Sequence, residues 1–152
     1  MNYWLMKSEP SAFSIEDLQR RPGQIEPWDG VRNYQARNMM RDDMAVGDGI
    51  FFYHSNCDIP GIVGIATVVR EAYPDDTAFD PQSKHFDPKS LRERPRWFMV
   101  DVGFVRTLSR TITLTELKGD PALDGFPLTR RGNRLSVMPL SKVQWDYILS
   151  LE

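Results

Sequence analysis

Apolar positions along the chain come in short runs bounded by Gly, Pro, Asp or Ser, a pattern that predicts strands more often than helices. Tyr3-Trp4-Leu5-Met6-Lys7, closed by Ser8-Glu9-Pro10, predicts a central first strand. Ser14 ahead of Ile15-Glu16-Asp17-Leu18 predicts an N-capped helix that Arg21-Pro22-Gly23 stops. Glu26 to Gly30 follows neither period, and Asn33 predicts the cap of a helix running through Ala36, Arg37, Met39 and Met40 to about Met44. Ile50-Phe51-Phe52-Tyr53-His54 and Ile62 to Val69 predict a strand pair joined by a polar loop, with Gly64 and Ala66 marking close backbone approach. Tyr73 to Pro95 is rich in Pro, Asp and Ser and predicts a long surface excursion, of the kind that often carries function. Trp97 to Val105 predicts the longest strand, with Trp97 in the core. Thr113 to Lys118 predicts a helix, and Leu135 to Met138 a last strand. Ser141 predicts the cap of a final helix that packs Val143, Ile148 and Leu151, with Trp145 nearby, against the sheet.

Five or six short strands without βαβ alternation, and with helices between them, predict an α+β fold, a small curved β-barrel flanked by short helices. At 152 residues the chain is expected to form one domain, residues 1–152, since cores divide only beyond about 250 residues. A 41% hydrophobic share excludes disordered and collagen-like classes. No apolar run reaches the ~18 residues of a membrane span, and Met1-Asn2-Tyr3-Trp4 lacks a signal-peptide profile, so a cytoplasmic protein with no membrane partner is expected. The single cysteine, Cys57, excludes an intrachain disulfide.

Charge narrows the function classes. Nineteen basic against 21 acidic residues argues against a general polyanion-binding coat, so a nucleic-acid function requires a local patch. Between Lys89 and Arg134 ten basic residues face five acidic ones, as either a phosphate-facing surface or a solvated one. No Gly-rich phosphate loop is present, and no cofactor is expected. His54, His85 and Cys57 lack metal-ligand spacing, so no metal is expected, and Asp42-Asp43 and Asp75-Asp76 read as solvated turn or helix residues. His54-Ser55-Asn56-Cys57 brings an imidazole, a hydroxyl and a thiol close together, which is the basis of an alternative reading as a small hydrolase or nucleotide-processing enzyme. No third residue orients the pair, and a lone cysteine commonly serves as a small buried hydrophobe. A protein-interaction adaptor using the acidic face is a further alternative. The remaining pattern is of polar residues interleaved with aromatics, suited to stacking a flat heterocycle and bonding its edge. Trp28, in the turn Pro27-Trp28-Asp29-Gly30, is either a stacking wall or a core plug. Asn56 offers a donor and an acceptor and Ser55 either, which suits a base edge or a turn equally. Arg130, Arg131 and Arg134 are open to phosphate contact or to structural ion pairs.

Four segments carry a resemblance. Tyr3 to Pro10 (YWLMKSEP), Trp28 to Asn38 (WDGVRNYQARN), Phe51 to Asn56 (FFYHSN) and Gly132 to Val137 (GNRLSV) resemble the hallmarks of the EVE-domain family. Pro60 to Ala66 and Asp87 to Trp97 follow the family's order, and no motif is interrupted. The resemblance implies a PUA-like barrel related to ASCH and YTH domains, and a non-enzymatic module that recognises a modified base, such as a methylated cytosine in DNA or a modified base in RNA. It implies a base pocket of Trp28, Asp29, Gly30, Asn33, Ser55 and Asn56, with Lys7, Ser8 and Arg37 at its mouth.

Overall fold

Alternation along the two most apolar runs decides how the sheet is covered. In β1 (Tyr3–Ser8), Trp4 and Met6 enter one hydrophobic cluster and Leu5 the other; in β3 (Gly49–His54), Ile50 and Phe52 part from Phe51 and Tyr53 in the same way. Both strands are therefore buried on both faces, which explains their unbroken apolar character. A computed structural model describing residues 1–152 joins them with β2 (Ile25–Pro27), β4 (Gly61–Pro74), β5 (Phe98–Thr113) and β6 (Val137–Leu140) in one mixed sheet of order β2-β5-β4-β3-β1-β6. Only β1 and β3 run parallel. The fold is α+β with six strands, and the sheet stays open: β2 and β6 are its two edges and do not pair with each other.

Helix α1 (Ile15–Arg20) begins in a capping box in which Ser14 and Asp17 satisfy each other's backbone N–H groups. It sits directly on β4 because residue 64 is glycine: a Cβ there would lie 2.7 Å from Ile15 Cδ1 and 3.0 Å from the Arg106 carbonyl. Helix α2 (Tyr34–Asn38) is capped by Asn33 and passes into a π-helical turn, Met39–Asp43. Helix α3 (Leu114–Lys118) follows β5, and α4 (Lys142–Ser150) closes the other face, where Trp145 stacks on Phe51 at 3.9 Å between ring centroids.

Beside the open sheet that stands in place of the expected barrel, three expectations change. Residues 25–27 do form a strand, a three-residue edge against Asp101–Gly103, too short to show a period. Strand β5 continues eight residues past Val105, because Ile112 pairs with Ile62 beyond a series of bulges. Val143 is 79% exposed, since two residues of helix turn it about 200° from the buried Trp145.

Candidate functional site

A cleft of about 740 Å³ opens where the Trp28–Arg32 loop, the segment from Lys7 to Phe13 and the Ser83–His85 part of the long excursion meet. Trp28 supplies its inner wall. Its backbone N–H donates to the Val100 carbonyl (2.8 Å), its ring meets Phe52 edge-on at 5.5 Å, and it is 8% exposed. The tryptophan is thus a core member with one edge on the cleft, not a projecting platform. Trp4 and Trp97 donate their indole N–H groups to Asp48 (3.0 Å) and Asp87 (2.7 Å). The Trp28 N–H has no protein acceptor, and no buried side-chain nitrogen lacks a partner, so this donor reaches the cleft.

The loop is held by a carboxylate that the sequence reading placed in solvent. Asp75 is fully buried; it accepts from the Gly30 N–H (2.8 Å), the Arg32 guanidinium (3.0 Å) and the Thr77 N–H (2.9 Å). Burial alone would raise its pKa, but the hydrogen bonds from Thr77, Gly30 and Arg32 hold it below the ordinary aspartate value. Arg32 also donates to the His85 carbonyl at 2.7 and 3.1 Å and lies over the Trp97 ring, tying the excursion to the Trp28 loop. Gly30 has φ +79°, and a Cβ there would lie 2.5 Å from the His85 imidazole, so only glycine lets this ring close over the loop. Asp75, Arg32 and His85 were not assigned to the site from sequence. The usable signal was local: Asp75 two residues before Thr77 is an Asx-type cap, which gives the carboxylate a structural partner.

The cleft mixes both charge signs. Asp29 is pushed above its ordinary pKa by partial burial and then by the nearby Asp75 carboxylate. Glu26 is also raised by burial, which outweighs its ion pair with Arg21 at 2.9 Å. Lys7, half-buried beside the Tyr53 ring, is lowered by desolvation.

Of the residues expected at the pocket and its mouth, Lys7, Ser8, Trp28, Asp29 and Gly30 line this cleft. Ser55 and Asn56 stand behind its wall: the Ser55 N–H donates to the Ser8 carbonyl (3.0 Å), and Asn56, at φ +52°, donates to Glu9 (3.2 Å). Asn33 spends its side-chain oxygen capping Ala36 (3.0 Å) and faces a second cleft. Arg37 lies over Tyr34 and donates to the Arg96 carbonyl (2.8 Å), away from the mouth. His54 does not meet Cys57 as an acid–base partner, because its Nε2 accepts the first N–H of α1, that of Ile15 (3.1 Å).

The second cleft, about 800 Å³, lies between α2 with its π-helical turn and the Pro127–Pro139 segment. Arg130, Arg131 and Arg134 line it, and none forms an ion pair. The basic excess between Lys89 and Arg134 is therefore not one surface: Arg106 is paired with Glu152 and Arg110 with Glu116, each at 2.7 Å, beside the C-terminus.

The chain belongs to the EVE-domain family, whose model matches residues 2–151. It is 51% identical to mouse thymocyte nuclear protein 1, over 99% of this chain and 74% of that protein. Among solved structures it resembles a Pseudomonas putida protein (52% identity, TM-score 0.94, 98% of both chains covered). It also resembles human THYN1 in complex with DNA containing 5-methylcytosine (47% identity, TM-score 0.91, 99% and 97% covered).

Proposed function

We propose that this chain reads a modified base in nucleic acid, with a methylated cytosine in DNA as the preferred ligand class over a modified RNA base. The observation that carries the reading is the pairing, on one cleft wall, of a free indole N–H at Trp28 with the Asp29 carboxylate. Support for DNA comes from the human relative, solved with 5-methylcytosine-containing DNA.

A base leaving the duplex gives up its stacking, and contact with aromatic side chains returns roughly 1–3 kcal/mol. With Trp28 offering only an edge, the recovery depends on Phe13 and His85, which flank the same cleft. Asp29 is placed to accept from an exocyclic amino group, the feature that separates cytosine from thymine, and the Trp28 N–H to donate to a ring or carbonyl acceptor. Burying one methyl group contributes about 0.8 kcal/mol, or roughly fourfold in affinity. Discrimination beyond that must come from edge bonding and shape. The role is binding without catalysis, since the one imidazole near a thiol is engaged as a helix-start acceptor.

The test is fluorescence anisotropy with matched oligonucleotides carrying cytosine or 5-methylcytosine, as DNA and as RNA, against the wild type, Trp28→Phe and Asp29→Asn. Trp28→Phe keeps a ring in the core and removes only the N–H. The reading requires a preference for the methylated DNA of about fourfold or more, and loss of most cytosine affinity in Asp29→Asn. Equal affinity of the wild type for methylated and unmethylated probes would refute it.

A further inference from the structure

The two clefts share their dividing wall. Arg32 lines the first and Asn33 the second; Ser136 lines the first and Leu135 the second. At both places the boundary falls between consecutive residues, so the two clefts adjoin along the same stretches of chain.

The second cleft is chemically two-sided. One wall carries Arg130, Arg131 and Arg134, all exposed and without carboxylate partners. The loop that presents them is pre-shaped: Gly132 takes φ +79°, the Asn133 Oδ1 accepts the Leu135 N–H at 2.9 Å, and the Asn133 amide donates to the Pro127 carbonyl. The facing wall carries the Gln35 amide and the Asp43 carboxylate, neither engaged by any protein side chain or backbone group, while Asp42 is taken up by Arg41 at 2.8 Å. Half-buried Met39 supplies apolar surface between the walls, over the fully buried Met138. A groove that only tracked phosphates would gain nothing from a free carboxylate. A phosphate-binding wall, an apolar patch and a facing amide and carboxylate together match a whole nucleotide: guanidinium groups for its phosphate, Met39 for its base plane, Gln35 and Asp43 for its edge.

We propose that the second cleft binds the nucleotide adjoining the modified one, so that the protein reads two consecutive nucleotides instead of a single base. This rests on the base-reading function of the first cleft and deepens it. Arg131 and Arg134 position the strand, and Gln35 and Asp43 set the preference for the neighbouring base, favouring one that presents an amino group.

The experiment compares 5-methyldeoxycytidine, dinucleotides with the methylated cytosine next to each of the four bases, and a longer single strand. Each is titrated into the wild type, Arg131→Ala/Arg134→Ala, Gln35→Ala and Asp43→Asn over a range of NaCl concentrations. In the wild type a dinucleotide binds ~10-fold or more tightly than the nucleoside. The double arginine variant loses that increment and leaves nucleoside binding unchanged. Its log-log salt slope on the longer strand is shallower by about 0.7 per lost phosphate contact. Gln35→Ala and Asp43→Asn bind all four dinucleotides alike. All four side chains are exposed, so the variants retain the fold. A wild type indifferent to the second nucleotide, or a double variant that keeps the increment, overturns the proposal. Loss of the methyl preference with the arginine-dependent increment intact would instead refute the base reading and leave the second cleft standing.

Discussion

Replacing Gly30 by alanine tests whether the long excursion and the Trp28 loop are held as one unit. The cost has two separable parts. A left-handed backbone at φ +79° costs an L-residue about 1–2 kcal/mol. The new Cβ would lie 2.5, 2.6 and 2.9 Å from three atoms of the His85 ring, where carbon contacts settle at about 3.5–4.0 Å, so the ring must move by roughly 1 Å. A ring at the end of a side chain yields more readily than backbone, which puts overpacking at the low end of its range, about 1 kcal/mol. The backbone of His85 cannot follow easily, since Arg32 grips its carbonyl at 2.7 and 3.1 Å. The sum is about 2–3 kcal/mol, and for a chain of this size the Tm should fall by roughly 4–12 °C. Urea and thermal unfolding of Gly30→Ala, His85→Ala and the double variant close a cycle. Removing the ring should return about 1 kcal/mol and leave the backbone part behind. A Gly30→Ala protein of wild-type stability, or one whose loss is the same with and without His85, would refute the reasoning.

Three further outcomes follow from the same contacts. His54 accepts the Ile15 N–H and burial lowers its pKa, partly countered by Glu16 and Asp17; its contribution to stability is present above the unfolded value near 6.5 and is lost as pH falls through the lower folded value. Urea midpoints of the wild type should therefore drop between pH 8 and pH 5 more than those of His54→Gln; parallel profiles would count against this. Asp29 has a raised pKa, so its charged form is disfavoured in the folded protein, and Asp29→Asn should leave the Tm unchanged or higher while weakening cytosine binding; equal losses of stability and binding would contradict a ligand-facing role. Arg32→Lys keeps the charge but loses the fork that reaches Asp75, Thr77 and the His85 carbonyl together, and should cost about 2–4 kcal/mol in chemical denaturation; a loss below about 0.5 kcal/mol, the scale of a surface pair, would dismiss the guanidinium as the loop's anchor.

Elements governed by local rules were readable from the chain. Ser14, Asn33 and Ser141 each cap a helix that starts at the next residue, because capping is decided within four residues; Thr113, expected inside its helix, is likewise the cap. The apolar runs of β1 and β3 announced strands, the first of them central. Sheet closure was not legible, since it depends on whether two edges distant in sequence meet, and β2 and β6 do not. The site divides along the same line. Trp28 and Asp29 stand out by the company they keep in a turn. Asn33 and Asn56 carry equally suggestive amides, but one caps α2 and the other braces Glu9, roles fixed by partners that side-chain chemistry alone does not reveal. Asp75 shows the converse: an acidic pair in a Pro-rich stretch reads as solvent-facing until Arg32 and Gly30, more than forty residues away, close over it.

A net charge of −2 fits a nucleic-acid partner only if the cations are unevenly committed. Arg106, Arg110 and Lys142 are each held by a carboxylate at 2.7 Å, on elements at or next to the C-terminus, and line neither cleft. Around the two clefts Lys7, Lys84, Arg130, Arg131 and Arg134 have none. The unpaired cations on the cleft rims therefore give a polyanion favourable contacts there despite the acidic net charge. If the arginines of the second cleft are the main phosphate contacts, the affinity for methylated duplex DNA should fall with salt at a log-log slope of about −3, since each neutralised phosphate contributes about −0.9. A slope near −8 would mean a far larger basic footprint than these residues provide, and would place the duplex on some surface other than the joined clefts.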